Sequence, residues 1–329
     1  MTRAAVLLFT IGAALFVALL AWRGFDAVVS TLLVAKWGLA LIAAFHLIPL
    51  LLDAASIWVL MHRHGEGKIR DAIMTRWVGE SVNSLLPAGQ LGGPVLMVRY
   101  LSHRGARIRD AAAAITVSTT AQALSQILFA LGGVLLFSAN GGLAGERTPV
   151  IAATAVLALM VVGFVVLQRR GMFGRVLRLL SKVFGKRDWK GLTVGADAVD
   201  EAIRELYGEK GRVAASFFLN LIGWIVGTAE VWLIMHFLGH PVSWVDALLL
   251  ESVGQAIRGA AFAIPGSLGA QEGGYLLLAP LVGLPPDMAL ALSLAKRVRE
   301  LILGLPGLLY LHLSERKFQR RRAALEPSE

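Results

Sequence analysis

Residues 37–61 read WGLALIAAFHLIPLLLDAASIWVLM, a stretch in which Asp53 is the only formally charged side chain. About 20 consecutive apolar residues form a helix long enough to cross the hydrocarbon core of a bilayer. Comparable runs recur at 4–22, 110–137, 150–167, 213–238 and 287–313. A water-soluble protein of 329 residues has no interior large enough to bury six such runs. The sequence therefore predicts an all-α integral membrane protein.

The composition agrees with a membrane protein. Hydrophobic residues make up 56% of the chain and charged residues 16%, whereas soluble domains carry roughly half and about a quarter. The absence of cysteine excludes disulfides, thiolate metal sites and cysteine nucleophiles. We interpret residues 1–22 as the first membrane helix. A signal peptide is the alternative, but the run is long for one and lacks a small-x-small cleavage site before Arg23.

Lysine and arginine indicate the topology because short loops rich in these residues stay cytoplasmic. The rich stretches are 63–76, 99–109, 169–212 and 316–322. If all four are cytoplasmic, segment 77–98 must enter and leave the membrane on the cytoplasmic side, and segment 244–282 on the outer side. The breaks in these two segments are PAGQLGG at 87–93 and PGSLG at 265–269. We therefore predict about six transmembrane helices, two re-entrant hairpins and both termini in the cytoplasm.

An internal repeat supports this topology. IWVLMH at 57–62 returns as VWLIMH at 231–236, and ESV at 80–82 returns at 251–253. Asp71-Ala72 and Asp246-Ala247 also match, as do Asp110 and Asp287, and all four offsets lie between 171 and 177 residues. We predict duplicated copies at about 37–137 and 212–313, joined by a cytoplasmic amphipathic linker at 169–211, within a single membrane domain, 1–329. The copies would be inverted, an arrangement typical of transporters.

Ionisable residues near the two breaks are the candidate functional residues, because a charge at the bilayer centre costs at least ~2.5 kcal/mol. Segment by segment they are Glu80 with Asn83 and Pro87, then Glu251, Arg258 and Glu272, and finally Lys296, Arg297 and Glu300. One interpretation is that they form structural pairs, such as Lys296 with Glu300 and Glu251 with Arg258. The other is that three distant segments converge on a cationic cavity that accepts an anionic group.

Several other residues allow more than one interpretation. Arg99 ends the first predicted hairpin. Two roles are equally open for its side chain, a contact with a lipid phosphate and a positive charge that only anchors the topology. Glu230 lies deep in its helix and is a candidate functional residue. We interpret His62 and His236, at helix ends, as interfacial residues and not as metal ligands. No Gly-x-x-x-x-Gly-Lys-[Ser/Thr] motif is present, so the net charge of +10 points to lipid headgroups and topology, not to nucleic acid.

The motif ESVN at 80–83, followed by Pro87, Gly92-Gly93 and Arg99, resembles flippase-like membrane proteins, as does PGSLGAQEGG at 265–274. These proteins include the transmembrane region of lysylphosphatidylglycerol synthases. The second motif, continuing through AKRVREL at 295–301, is most similar to the hopanoid-biosynthesis-associated HpnL group. This resemblance implies that the lipid path is lined by Glu80, Asn83, Pro87, Gly93, Arg258, Pro265, Gly266, Gly269, Glu272, Lys296 and Arg297. Gly92, Arg99, Glu251 and Glu300 complete the predicted site.

The resemblance implies a bacterial inner-membrane protein. We predict a lipid translocase without an ATPase or cofactor, acting on a hopanoid or a lipid with an anionic or polar headgroup. The chain ends at Glu329 without room for a soluble aminoacyl-transfer domain, so aminoacylation is not expected. The sequence leaves open whether the protein forms homo-oligomers and whether it binds other proteins of lipid synthesis or transport. The alternatives are a non-transporting scaffold, and an intramembrane lipid-modifying enzyme with Glu80 or Glu272 as general base. The sequence shows no nucleophile, metal set or His–carboxylate pair for such an enzyme.

Overall fold

The computed structural model describes residues 35–62, 67–86, 89–140, 166, 170, 190–261 and 264–323. These residues are mostly helical and contain no strand. The predicted membrane helix at 4–22 lies outside the described residues. The described residues also do not include Pro87, almost all of the run at 150–167 and the first part of the linker.

The described helices follow one another along the whole chain. They are α1 (Gly38–Phe45), α2 (Leu47–Met61), α3 (Ile69–Leu85), α4 (Gly89–His103), α5 (Ile108–Ala139), α6 (Lys190–Gly208), α7 (Lys210–Phe237), α8 (Trp244–Ala260), α9 (Ala270–Leu278) and α10 (Pro286–Ala323). Two short 3-10 segments, Pro265–Ser267 and Ala279–Val282, flank α9. Ser243 caps α8 by accepting a hydrogen bond from the Asp246 backbone N–H at 3.1 Å.

Three helical stretches among the described residues are long and apolar enough to cross a membrane. They are Gly38–Met61, Ile108–Ala139 and Lys210–Phe237, and they coincide with three of the predicted runs. The predicted run at 287–313 is helical, as part of α10, but it is not among the three. Its first half carries several charged side chains, whereas its second half exposes Leu305, Leu309 and Leu313. The prediction of six transmembrane helices stays a prediction.

The described residues form two compact units, and every boundary between them falls within a helix. The first unit contains residues 35–48, 74–97 and 227–323, without the gaps named above. Its apolar core is formed by α7, α8, α9 and α10 together with Ile42 of α1, and includes Ile234, Leu250, Tyr275 and Leu292. The division into repeats at 37–137 and 212–313 stays a prediction.

The second unit contains residues 49–73 and the described part of 98–226. Here the apolar side of α6 packs on α5, with Ile203 and Leu206 against Ala113 and Val117. The second part of the predicted linker is thus an amphipathic helix. A cavity of about 240 Å³ in this unit is lined by the apolar Leu60, Leu101 and Leu206 and by the charged Lys68, Asp71, Arg104, Arg107 and Asp110.

The first predicted break is shorter in the structure than the sequence indicated. Helix α3 ends at Leu85, and α4 begins at Gly89, so Gly92 and Gly93 lie inside a helix and not in the turn. The helix resumes early because the Asn83 side-chain oxygen accepts a hydrogen bond from the Gly93 N–H at 2.8 Å. This corrects the prediction that the break extends to residue 93.

The second break lies where the sequence places it. Helix α8 ends at Ala260, and Gly266, Ser267 and Gly269 have φ angles of 59°, 49° and 77° before α9 begins. Such left-handed conformations interrupt a helix and favour glycine. A Cβ atom at Gly266 would lie 3.0 Å from the Ser84 carbonyl oxygen, near the end of α3. The second break therefore lies against the end of α3, just before the first break. Re-entry into the membrane stays a prediction.

Candidate functional site

The first unit brings together ionisable side chains from five helices, which we call the ionic network. Its carboxylates are Glu80, Glu230, Glu251, Glu272 and Glu300, and its cations are Arg76, Arg258, Lys296, Arg297 and Arg299. Each of these side chains forms at least one ion pair within the network. The formal charges of these ten groups therefore balance, and His46 and the Tyr275 hydroxyl are further titratable groups in contact with them.

Lys296 of α10 pairs with Glu251 of α8 at the most deeply buried point of the network, with the two side chains 1% and 4% exposed. The second carboxylate oxygen of Glu251 accepts a hydrogen bond from Gln255 at 2.9 Å. Gly227 of α7 permits this packing, because even a Cβ atom there would lie 3.2 Å from Glu251 Oε1. A buried cation and carboxylate are thus neutralised together.

Glu300 joins three arginines. Its carboxylate lies 2.6 Å from Arg258 Nη1, 3.0 Å from Arg297 Nη1 and 3.5 Å from Arg299 Nη2. The sequence-based pairs, Lys296 with Glu300 and Glu251 with Arg258, are therefore wrong in their partners. Each predicted pair lies within a single helix, α10 or α8. In the structure each of these residues pairs with a residue of the other helix, Lys296 with Glu251 and Arg258 with Glu300. Buried charges of neighbouring helices satisfy each other where no water can reach them.

Arg297 holds the second break against α10. Its Nη1 atom donates to the Gly266 carbonyl at 2.6 Å, and Nη2 donates to the Ser267 carbonyl at 3.3 Å. Nε lies 3.2 Å from Glu272 Oε1. Carbonyl groups that have left regular helix geometry need other donors when they are buried. Arg297 supplies these donors, so it is part of the architecture of the break.

Glu272 ties the start of α9 to α10. Its Oε2 atom accepts a hydrogen bond from the Gly269 N–H at 2.7 Å, and Oε1 accepts one from the Ser293 hydroxyl at 2.9 Å. Ser293 in turn accepts from Gln271 Nε2 at 2.8 Å, and Gln271 Oε1 accepts from Arg258 at 3.2 Å. The break, α9 and α10 are thus joined by one connected set of hydrogen bonds.

His46 lies between two carboxylates, and the sequence analysis did not identify it. Its Nε2 atom is 2.8 Å from Glu80 Oε1, and its Nδ1 atom is 2.6 Å from Glu230 Oε2. Arg299 Nη1 is 2.8 Å from the same Nδ1 and 2.6 Å from Glu230 Oε1. The available signal was an imidazole inside the apolar run 37–61, where an ionisable side chain marks a functional site by default. Arg299 is a second member of the network that was not among the predicted residues.

Access to the network differs along its length. Glu230, Lys296 and Glu272 are at most 2% exposed in their side chains, whereas Arg258 is 16% exposed and Glu80 is 24% exposed. The buried members have no route to solvent of their own. Arg258, Glu80 and Arg76, whose side chain is 20% exposed, are therefore the positions at which a polar group from outside reaches the network.

The structure does not bring every predicted residue into the network. Arg99 is exposed and belongs to the second unit. Pro87 lies outside the described residues, and Pro265 is placed only as the start of a 3-10 segment. Asn83 and Gly93 bond to each other, and Gly92 lies beside them in α4. Asn83, Gly92 and Gly93 carry no charge, so they take no part in the ion pairs of the network.

The two histidines predicted to be interfacial lie against tryptophan rings, tilted by 32° at His62 and stacked at His236. The His62 ring lies 4.9 Å from Trp58, and the His236 ring lies 5.8 Å from Trp232. In the portion of the chain that the structure describes, no group of three His, Asp or Glu side chains is arranged to hold a metal ion.

A comparison with protein families gives one match across most of the chain. The model described as "Lysylphosphatidylglycerol synthase TM region" matches residues 5–307. No curated protein matches the sequence. The resemblance predicted from the motifs is confirmed at the level of the family, and the particular similarity to the HpnL group stays a prediction.

Proposed function

Because the chain belongs to the family of lysylphosphatidylglycerol synthase transmembrane regions, we propose that it moves a membrane lipid between leaflets. The substrate class is a lipid with an anionic or polar headgroup, a phospholipid or a hopanoid derivative. The protein acts in the bacterial inner membrane and has no ATPase of its own. Family membership supports a role in handling membrane lipids, and the finer assignment rests on the ionic network.

The observation that carries the proposal is a buried, charge-balanced network beside a broken helix. Isolated charges and irregular backbone are both costly at membrane depth, and they are tolerated where they line a polar interior. A protein that only anchored partners in the membrane would have little need for ten such groups. A polar interior beside apolar helices matches the needs of a lipid headgroup that crosses the bilayer.

Arg258 is the cation on which we expect a headgroup to bind first. Lys296 is fully enclosed with Glu251, and Arg297 is engaged by the break. Arg258 is more exposed than either of them. When the Arg258 side chain moves away from Glu300, the Glu300 carboxylate still contacts Arg297 and Arg299. A phosphate oxygen can therefore replace Glu300 at Arg258 without leaving a carboxylate unpaired.

The proposed mechanism uses an inverted repeat that alternates access to the two sides of the membrane. Two observations support a duplication. Helices α3 and α8 each have 17 residues, and each precedes a break, a short helix and a long helix. In both copies of the repeated motif a tryptophan ring contacts the ring of the histidine four residues later. We propose that both termini are cytoplasmic.

Accessibility labelling tests this topology. Single cysteines at Asn140 and Pro241 should react with a membrane-impermeant reagent from outside, and one at Arg104 should react only after the cells are opened. The chain has no native cysteine, so each label reports one position. Labelling of Arg104 and Asn140 from the same side would make the first hairpin a full span and remove the inverted repeat.

Reconstitution tests the transport proposal directly. Purified protein in vesicles should expose fluorescently labelled phosphatidylglycerol of the inner leaflet to dithionite, which quenches only the outer leaflet. Arg258→Ala should slow this exposure strongly. The control is Lys317→Ala, which removes an exposed cation of α10 outside the network and should move lipid like the wild type. Equal movement by Arg258→Ala and wild-type protein would remove Arg258 from the lipid path.

An intramembrane lipid-modifying enzyme is the second candidate, and one observation favours it. The sequence analysis counted the lack of a His–carboxylate pair against an enzyme, but His46 contacts Glu80 and Glu230. Such a pair can act as a general base. Mass spectrometry of lipids from the same vesicles separates the two candidates. A covalently altered lipid indicates an enzyme, and relocation of unaltered lipid indicates a translocase.

A further inference from the structure

We propose that His46 is the proton-binding site through which a proton gradient drives lipid movement. This inference rests on the proposed transport function and adds its energy source. His46 joins α1 to α2, and the ionisable groups that face it come from the other helices packed around it. They are Glu80 of α3 with Arg76 beside it, Glu230 of α7, and Arg299 of α10 with Glu300 and Lys296 close by.

The contacts of Nδ1 describe two hydrogen-bonding states that exclude each other. When the ring carries both protons, Nδ1–H donates to Glu230 and Nε2–H donates to Glu80. When the ring loses the Nδ1 proton, Nδ1 becomes an acceptor, and Arg299 Nη1 is in place to donate to it at 2.8 Å. Nδ1 cannot donate to Glu230 and accept from Arg299 at once. The hydrogen bonds at Nδ1 therefore differ between the protonated ring and the neutral ring.

Loss of this proton has consequences for Glu230. Its Oε2 atom, 2.6 Å from Nδ1, would then face a second acceptor, and the side chain is too buried for water to replace the donor. Either Glu230 or Arg299 must move. Arg299 has a donor to spare, since its Nε is buried and lacks a hydrogen-bond partner among the described residues. Protonation of His46 thus selects between two arrangements of Arg299.

Arg299 connects this choice to the second break. Its neighbours in α10 are Arg297, which holds the carbonyls of the break, and Glu300, which holds Arg258. A shift of α10 at Arg299 therefore acts on the cation that meets the headgroup. Glu80 accepts the Nε2–H hydrogen bond in both states, so it leaves Nδ1 as the nitrogen that gains and loses the proton. The proton balance is that each cycle takes up one proton at Nδ1 from one side of the membrane and releases it to the other side.

Nuclear magnetic resonance of the imidazole nitrogens tests the proton site without reference to transport. The full chain, labelled with ¹⁵N-histidine, is placed in lipid nanodiscs, and the His46 signals are assigned by their absence in His46→Gln. We expect the Nδ1 signal to change from a protonated to an unprotonated nitrogen as pH rises, while Nε2 stays protonated. A ring that keeps one protonation state wherever the protein is folded would overturn the proposal.

Transport under a pH gradient tests the coupling. In vesicles, a gradient should make wild-type protein accumulate labelled phosphatidylglycerol in one leaflet, and collapse of the gradient by an ionophore should abolish the asymmetry. His46→Gln and Glu80→Gln should each lose the gradient-driven accumulation. The matched control, His236→Gln, changes an exposed histidine outside the network and should behave like the wild type.

The outcomes separate the two proposals. If the wild-type protein moves lipid independently of the pH gradient, the coupling is overturned and the transport proposal stands. Undiminished accumulation by both folded variants, His46→Gln and Glu80→Gln, has the same consequence. If wild-type protein moves no lipid, the transport proposal fails together with the coupling, and a titrating His46 signal then establishes the proton site alone. If His46→Gln does not fold, Glu80→Gln decides, because Glu80 is partly exposed and tolerates an amide.

Discussion

Helices α5 and α10 occupy corresponding places in the predicted repeat, yet their polar side chains differ in charge and in partners. In α5, the hydroxyls of Thr119 and Ser125 donate to backbone carbonyls of their own helix at 2.8 Å, and the contact of Gln122 with Asp53 of α2 is made by an uncharged amide. In α10, Lys296 and Arg297 reach carboxylates and carbonyls of α8, α9 and the break. The polar contacts of α5 are thus made by neutral groups, whereas those of α10 are made by buried charges that depend on other elements.

This difference predicts which substitutions change stability and lipid movement most. A hydroxyl that bonds within its own turn costs little to remove, because the helix backbone keeps its own hydrogen bonds. A buried charge that pairs across helices leaves its partner stranded when it is removed. We therefore expect stability and lipid movement to depend on α10 far more than on α5.

The largest expected effect is at the buried pair. Lys296→Ala strands Glu251 and should lower the free energy of unfolding by roughly 3–5 kcal/mol. The double variant Lys296→Met, Glu251→Leu removes both charges and should recover most of the loss. Thermal unfolding of the purified protein in detergent measures both effects. A double variant as unstable as the single one would show that the two residues do not act as a pair.

Arg258→Ala should cost less stability, about 1.5–3 kcal/mol, the range for a hydrogen bond to a charged group. Glu300 keeps two other arginines within 3.5 Å, so its charge is not stranded. Lipid movement should nevertheless fall strongly, because Arg258 is the most exposed of the network cations in α8 and α10. Thermal unfolding and the vesicle assay on one preparation provide both values. A variant that unfolds readily but transports at the wild-type rate would reverse this assignment.

Gly266→Ala tests the geometry of the second break. A side chain in the left-handed region costs about 1–2 kcal/mol, and here a Cβ atom would also press on the Ser84 carbonyl oxygen. Gly132→Ala in α5 is the control, since its Cβ atom would have no neighbour within 4 Å. The first change should lower the melting temperature, and the second should leave it unchanged or raise it. Equal melting temperatures would mean that Gly266 is not constrained.

Ser125→Ala in α5 should have the smallest effect. The Ser125 hydroxyl accepts a hydrogen bond from Trp224 Nε1 at 3.1 Å, and its loss should cost about 0.5–1.5 kcal/mol. Lipid movement should not change. A loss of transport in well-folded Ser125→Ala protein would mean that α5 also lines the lipid path and that the contrast with α10 is false.

The sequence was sufficient for the apolar helices, the second break and the charged faces, because these depend on local composition and periodicity. It was not sufficient for the pairing within the network. Helical spacing shows which residues share a face but not which face lies opposite, so Glu251 and Glu300 were given the wrong partners. His46 and Arg299 are 253 residues apart, and their contact depends on how α10 packs. The first break was drawn too long because Gly92-Gly93 suggests a turn until Asn83 is seen to support the helix.

The equality of positive and negative charges in the ionic network has an electrical consequence. A charge that crosses the full membrane potential changes its energy by about 2.3 kcal/mol per 100 mV. Five cations and five carboxylates that move together carry no net charge, so the voltage exerts no net force on the network. A proton on His46 gives the assembly one elementary charge. The membrane voltage would therefore exert a net force on the ionic network when that proton is bound and none when it is absent.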